Sequence, residues 1–206
     1  MFSDGGVKQI PYILIYSRIV FAILIVLLLS FSFVGCDNWV VGLMVLAILT
    51  DVFDGIIARQ IGVSSERLRV LDSNVDQFFW LVTIVSVFYN SKEFILSEIL
   101  WIGIIVFLEL STYIVSYFKF RRTIATHSIL AKFWTISLLI FLIDLVLHNQ
   151  SFYPFIFCVV LGIISRIEIL LITLRLKQWV TDVPSIFSVS KLNRGEEIKR
   201  NKLFNG

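Results

Sequence analysis

Apolar residues in this chain come in long unbroken runs. Six segments are apolar over about the 20 residues that a helix needs to cross a bilayer: 10–34, 39–58, 72–90, 94–118, 131–148 and 152–176. Polar clusters of turn-forming type separate several of them: Gly35-Cys36-Asp37-Asn38, Asn90-Ser91-Lys92-Glu93 and His148-Asn149-Gln150-Ser151. Continuous runs exclude a transmembrane β-barrel, whose strands alternate apolar and polar residues. The first run is too long for a leader peptide and no small-residue cleavage site follows it, so it reads as a retained first helix. The pattern predicts an all-α polytopic membrane protein with six transmembrane helices.

Composition agrees with the pattern. The chain has 206 residues, 58% hydrophobic and 16% charged, with a mean hydropathy of +0.90. A soluble domain is about half apolar and about a quarter charged. The 19 Phe and 5 Trp are more aromatic surface than a soluble domain of this size could bury. A water-soluble globule, a disordered chain and a disulfide scaffold are therefore excluded. Cys36 and Cys158 sit in or beside apolar runs and form neither a disulfide framework nor a metal motif.

The position of the charges adds orientation. Lys8, Arg59, Arg67, Arg69, Lys119, Arg121, Arg122 and the cations from Lys177 onward fall at the termini or in two connections, whereas the opposite connections hold only Lys92. By the positive-inside rule both termini and both basic loops face the cytoplasm. Residues 1–181 then form the membrane domain and 182–206 a polar cytoplasmic tail, read as a surface or loosely ordered segment. No internal or inverted repeat is visible. The expected location is a bacterial inner membrane, with membrane lipid as a partner and no nucleic acid.

Acids inside apolar segments are expensive and mark functional candidates. Asp51 and Asp54 end the second run at i,i+3; Asp72 and Asp76 open the third at i,i+4. Each pair shares one helix face, and a basic loop joins the two helix ends, so four carboxylates can converge at the cytoplasmic surface. Four like charges in a partly desolvated site need cations. Without a His or Cys cluster the site points away from zinc. All-oxygen ligation suits Mg²⁺ or Mn²⁺, and two such ions balance four charges. Gly55 leaves the helix surface bare next to Asp54, and Ala58 continues that strip. The competing reading has these acids pair with Arg59, Arg67 and Arg69 as helix-end decoration.

Asp51, Asp54, Gly55, Ala58, Arg59, Asp72 and Asp76 stand at the spacing D-x2-D-G-x2-A-R-x8-G-x3-D-x3-D. The stretch resembles the signature of the CDP-alcohol phosphatidyltransferases at seven of its eight fixed positions. The departure is Leu68, where the pattern has glycine. The resemblance implies a six-helix membrane enzyme of phospholipid biosynthesis. An alcohol hydroxyl attacks the β-phosphorus of CDP-diacylglycerol and CMP leaves. By the same resemblance Asp51, Asp54 and Asp72 are metal ligands, and Asp76 is the general base that also touches a metal. Asp51, Asp54, Gly55, Ala58 and Arg59 bind the nucleotide. It also implies a homodimer.

Weaker features surround the signature. Pro11, Leu14 and Arg18 match part of the family's P-N-x-L-T-x-x-R opening. Arg18 either snorkels to the interface or pairs with the acidic pocket or a phosphate. The basic stretch at 119–132 offers Arg121, Arg122, Lys132 and His127 as binders of a phosphorylated acceptor, with the positive-inside bias as the plainer explanation. Arg166, Glu168 and Glu109 lie inside apolar runs and form either a buried pair or, through Arg166, part of the acceptor pocket. Trp39, Trp101, Tyr153 and Trp179 read as interfacial aromatics without chemistry. Three other readings compete: a small CDP-alcohol donor with a lipid alcohol acceptor, a divalent-cation carrier, and a catalytically silent lipid-binding relative. A carrier predicts acids near mid-membrane in several helices, and here they cluster at one edge.

Overall fold

The computed structural model describes residues 8–31, 33–122, 128–180 and 183–196, with the side chain of Glu66 left out. The described elements are helices: α1 (Ile10–Phe31), α2 (Cys36–Gln60), α3 (Glu66–Asn90), α4 (Lys92–Ser97), α5 (Ile99–Phe120), α6 (Ile129–His148), α7 (Tyr153–Arg175), a 3₁₀ turn (Ile186–Ser188) and α8 (Val189–Asn193). Among the described residues there is no strand. Five helices, α1, α2, α5, α6 and α7, are long and apolar enough to cross a membrane. The sequence pattern predicts six. The third apolar run lies in α3, whose 25 residues give it the length. Its first turns, however, hold Arg67, Arg69, Asp72, Asn74, Asp76 and Gln77 and dilute its hydropathy. The fourth run, expected as one helix over 94–118, is broken at Glu98 into α4 and α5.

Helix formation in apolar surroundings requires that backbone polar groups bond within the segment. Hydroxyls in the helices follow the same rule by bonding back one turn, as Ser17 to the Leu14 carbonyl, Thr50 to Ala47, Ser86 to Val82 and Thr173 to Ile169. The helix starts carry local signals. Gly35, at φ 85°, precedes α2; the Ser65 hydroxyl accepts from the Leu68 amide at the start of α3; Pro154 occupies the first turn of α7.

The chain divides into two compact units. Unit 1 holds residues 1–92 and 142–150, unit 2 residues 93–141 and 151–206. In unit 1, α1 packs on both α2 and α3. Its buried positions are Pro11, Ile15, Arg18, Ala22, Ile25 and Leu29, a stripe of alternating three- and four-residue steps. Arg18 stands on that stripe among apolar residues. In α2 the buried stripe runs Val40, Met44, Ala47, Asp54, Ala58.

In unit 2, α5 packs on α7, and Phe94, Phe141 and Phe155 form an aromatic cluster. The described part of the tail is packed onto this unit. Val183 and Val189 are buried with Ile172 and Leu176. Ile129 N–H donates to the Pro184 carbonyl, and the Asn193 amide donates to the Arg175 carbonyl at the end of α7. Lys119 Nζ donates to the Thr173 and Leu174 carbonyls, satisfying orphan groups at a helix C-terminus with a cation.

Gly162 of α7 makes room for Trp134 of α6. A Cβ at Gly162 would stand 2.6 Å from the indole nitrogen. Gly162→Ala is therefore expected to destabilise the protein by about 1–3 kcal/mol, the usual range for overpacking. Gly103→Ala, where nothing lies within 4 Å of the new Cβ, should be neutral or slightly stabilising. Thermal unfolding of the two variants in detergent checks the contrast.

Candidate functional site

The four signature carboxylates meet on Arg18, a residue that the signature does not contain. Its Nη1 donates to Asp51 at 3.1 Å and to Asp76; its Nη2 donates to Asp72 at 2.5 Å and to Asp54. The i,i+3 pair from α2 and the i,i+4 pair from α3 thus face the same point, and α1 delivers a cation to it. The side chain of Arg18 is 1% exposed and that of Asp54 3%, whereas Asp51 is 42% exposed and Asp72 and Asp76 about a quarter. One wall of the cluster is closed and the other is open to incoming groups.

Arg18 resolves two sequence alternatives. It does not snorkel; it pairs with the acidic cluster. Its place on the three-four stripe of α1 is the signal that could have identified it, because snorkelling requires a position off the packing face. Asp54 likewise falls on the buried stripe of α2, and Asp51 stands one turn before it at the stripe's exposed edge.

Neighbouring signature residues divide by environment. The Arg59 guanidinium folds back over Gly55, 3.5 Å from where a Cβ would stand. Ala58 is buried with Ile15, Leu68 and Val75. Leu68, at the position where the signature has glycine, fills that small apolar core and closes the surface of Ala58. The bare strip expected along α2 is therefore reduced to Gly55.

Asp51, Asp72 and Asp76 each offer one carboxylate oxygen, and these atoms lie within 4.8 Å of one another. The donors are hard oxygens at a separation suited to one cation, and a guanidinium already bonds the same carboxyl groups. Mg²⁺ or Mn²⁺ fits this set by charge and by donor type. Unit 1 also has a cavity of about 310 Å³ at the opposite ends of these helices, lined by Leu29, Cys36, Val87 and Asn149 among others. No signature residue lines it.

The remaining predicted residues lie in unit 2 or outside the described residues. Arg166 Nη1 pairs with Glu109 at 2.8 Å, and its guanidinium lies 4.3 Å from the centre of the Trp134 ring. The expected pair is formed, with Arg166 buried, Glu109 partly exposed and an aromatic face beneath the guanidinium. Glu168 is held apart from it, accepting from the Ile186 amide at 3.3 Å. Arg121 ends α5 at φ 54° and lies over Tyr117, and Arg122 lies over Trp179. Lys132 is in the first turn of α6. His127 lies outside the described residues. Trp134, which supports Arg166, carried no chemical signal in the sequence.

The family profile described as CDP-alcohol phosphatidyltransferase matches residues 8–181 of this chain. No curated protein and no solved structure matches it.

Divalent binding at the carboxylates is expected to raise thermal stability. At a hundred times Kd the gain is about 2.7 kcal/mol. Melting curves with EDTA and with Mn²⁺ should show that shift in the wild type and lose it in Asp51→Ala. An unchanged shift in the variant would remove Asp51 from the ligand set.

Proposed function

The chain belongs to the CDP-alcohol phosphatidyltransferase family, and from that premise we propose that it transfers a phosphatidyl group from CDP-diacylglycerol to a small alcohol in phospholipid synthesis. The observation that carries this reading is the convergence of Asp51, Asp54, Asp72 and Asp76 on one cationic point. Phosphoryl transfer asks for alignment and charge neutralisation more than for covalent chemistry.

In this reading Asp51, Asp54 and Asp72, with Asp76, would hold two Mg²⁺ or Mn²⁺ ions. Bound there, the ions supply neutralisation of the pyrophosphate and its developing charge. Asp76 is the general base. The acceptor hydroxyl oxygen forms a bond to the β-phosphorus, its proton passes to the Asp76 carboxylate, and the bond to the bridging oxygen breaks. That oxygen departs with its electron pair as part of CMP. Gly55 admits the nucleotide against the backbone of α2, and Arg59, which covers Gly55, gives way to it or stacks on it. Asp51 and Asp54 complete that subsite. Ala58 serves it from beneath.

For a phosphorylated acceptor the candidates are Arg121, Arg122 and Arg166, the last of which already pairs with Glu109. Lys132 and His127 complete the candidate set. We take α3 as the sixth span, its polar half facing the site and its apolar half lipid. Both termini and the site then face the cytoplasm of a bacterial inner membrane, with 1–181 as the catalytic domain, 182–206 as its tail, and a homodimer as the assembly. A carrier reading fares worse, because it asks for acids near mid-membrane in several helices, whereas these four lie at the joined ends of α2 and α3.

CMP release from CDP-diacylglycerol, with a panel of alcohols and the lipid product identified by mass, tests the reaction; no CMP with any alcohol would overturn it. Asp76→Asn should lower turnover by about 10²–10⁴-fold while nucleotide binding persists. Gly55→Ala meets only ordinary contact distance in the protein, so it should fold normally yet weaken binding of CDP-diacylglycerol. Undiminished binding would take Gly55 out of the nucleotide subsite.

A further inference from the structure

A guanidinium and a divalent ion cannot use the same carboxylates in the same way at once. Arg18 bonds all four: Asp51 and Asp76 through Nη1, Asp54 and Asp72 through Nη2. Three of these, Asp51, Asp72 and Asp76, are the carboxyl groups whose oxygens lie within 4.8 Å of one another. We propose that Arg18 is an exchangeable resident cation: it holds the metal-free site together, and divalent ions bind by displacing its guanidinium from the carboxylate centre.

Three observations support exchange over a purely structural network. The first is charge. One guanidinium does not balance four carboxylates, so the cluster retains an attraction for further cations that a closed ion pair lacks. The second is hydrogen bonding. Arg18 Nε is buried and has no partner, although a guanidinium presents five donors. The guanidinium therefore keeps one donor that the carboxylates do not satisfy and that an anion can use after exchange. The third is access. Asp51, Asp72 and Asp76 are partly exposed, so an ion can reach the carboxylates from the open side without unpacking α1.

Exchange also accounts for the position of the arginine. A fixed cation one turn away would leave four carboxylates repelling one another whenever metal is absent. Removal of one partner from a buried ion network is strongly destabilising. Arg18 covers that state, and its bond to Asp76 blocks the proposed base until the guanidinium moves. Once displaced it is a buried positive charge in search of an anion, and the phosphate of an incoming donor has that charge. Arg18 is thus a positioning residue that couples metal occupancy to readiness of Asp76. This inference rests on the metal reading of the carboxylates.

The test compares full-length wild type with Arg18→Gln and Arg18→Lys in nanodiscs. Mn²⁺ binding is read from the free-ion electron paramagnetic resonance signal, and stability from melting curves in EDTA. Arg18→Gln is expected to bind Mn²⁺ at least tenfold more tightly than wild type and to melt at a lower temperature in EDTA. Arg18→Lys, which keeps the charge without the fork, should fall between them. Equal or weaker Mn²⁺ binding in Arg18→Gln overturns the exchange. If that variant does not fold, ¹⁵N-arginine-labelled wild type decides. The Arg18 Nε–H resonance, assigned by its loss in Arg18→Lys, should move in step with Mg²⁺ binding. A stationary resonance during saturable Mg²⁺ binding overturns the exchange. Wild type that binds neither Mn²⁺ nor Mg²⁺ overturns the metal reading itself, a separate outcome.

Discussion

A guanidinium buried among four carboxylates fixes how the first three helices meet. Charges in an apolar setting are tolerated only when paired and facing inward, and Arg18 can satisfy that condition in one place. It must stand on the buried stripe of α1, opposite the facing acids of α2 and α3. That requirement sets the register of α1 against both neighbours more sharply than apolar packing does. Apolar side chains in lipid have little to distinguish a helix neighbour from an acyl chain. The loop at 61–65 then has to bring the two acidic helix ends together, and the Ser65 cap starts α3 at the right residue.

Unit 2 meets the same problem with a different outcome. Arg166 is matched by Glu109 and rests on Trp134, which itself needs the empty side of Gly162. There one acid balances one guanidinium, with Arg166 buried and Glu109 partly exposed. In unit 1 the acids outnumber the guanidinium, and three of them are partly open. A balanced pair serves packing; an unbalanced cluster retains an attraction for further cations. The contrast separates the two groups of intramembrane charges without reference to their sequence motifs.

Leu68 illustrates how a signature can be altered without loss of the carboxylate geometry. It stands where the family pattern has glycine, and its side chain fills a small core with Ile15, Ala58 and Val75. The substitution adds apolar contact among α1, α2 and α3 directly beneath the acids. It leaves Gly55 as the open point on α2, with the Arg59 guanidinium nearest to it. The bare strip expected along α2 is thereby reduced to one residue.

Sequence alone determined that the chain is helical and apolar enough for a membrane, because runs of that length and composition have no other way to satisfy their backbone. It also determined which acids form pairs, since i,i+3 and i,i+4 spacings place side chains on one face of any helix. The identity of their partner was decided by tertiary structure. Arg18 lies 33 to 58 residues from the acids it bonds, and only the packing of three helices selects it over Arg59, which turns to Gly55 instead. The Arg166–Glu109–Trp134 contact and the docking of residues 183–193 were equally beyond local reading. Each joins segments distant along the chain, and periodicity carries no record of which buried faces will meet.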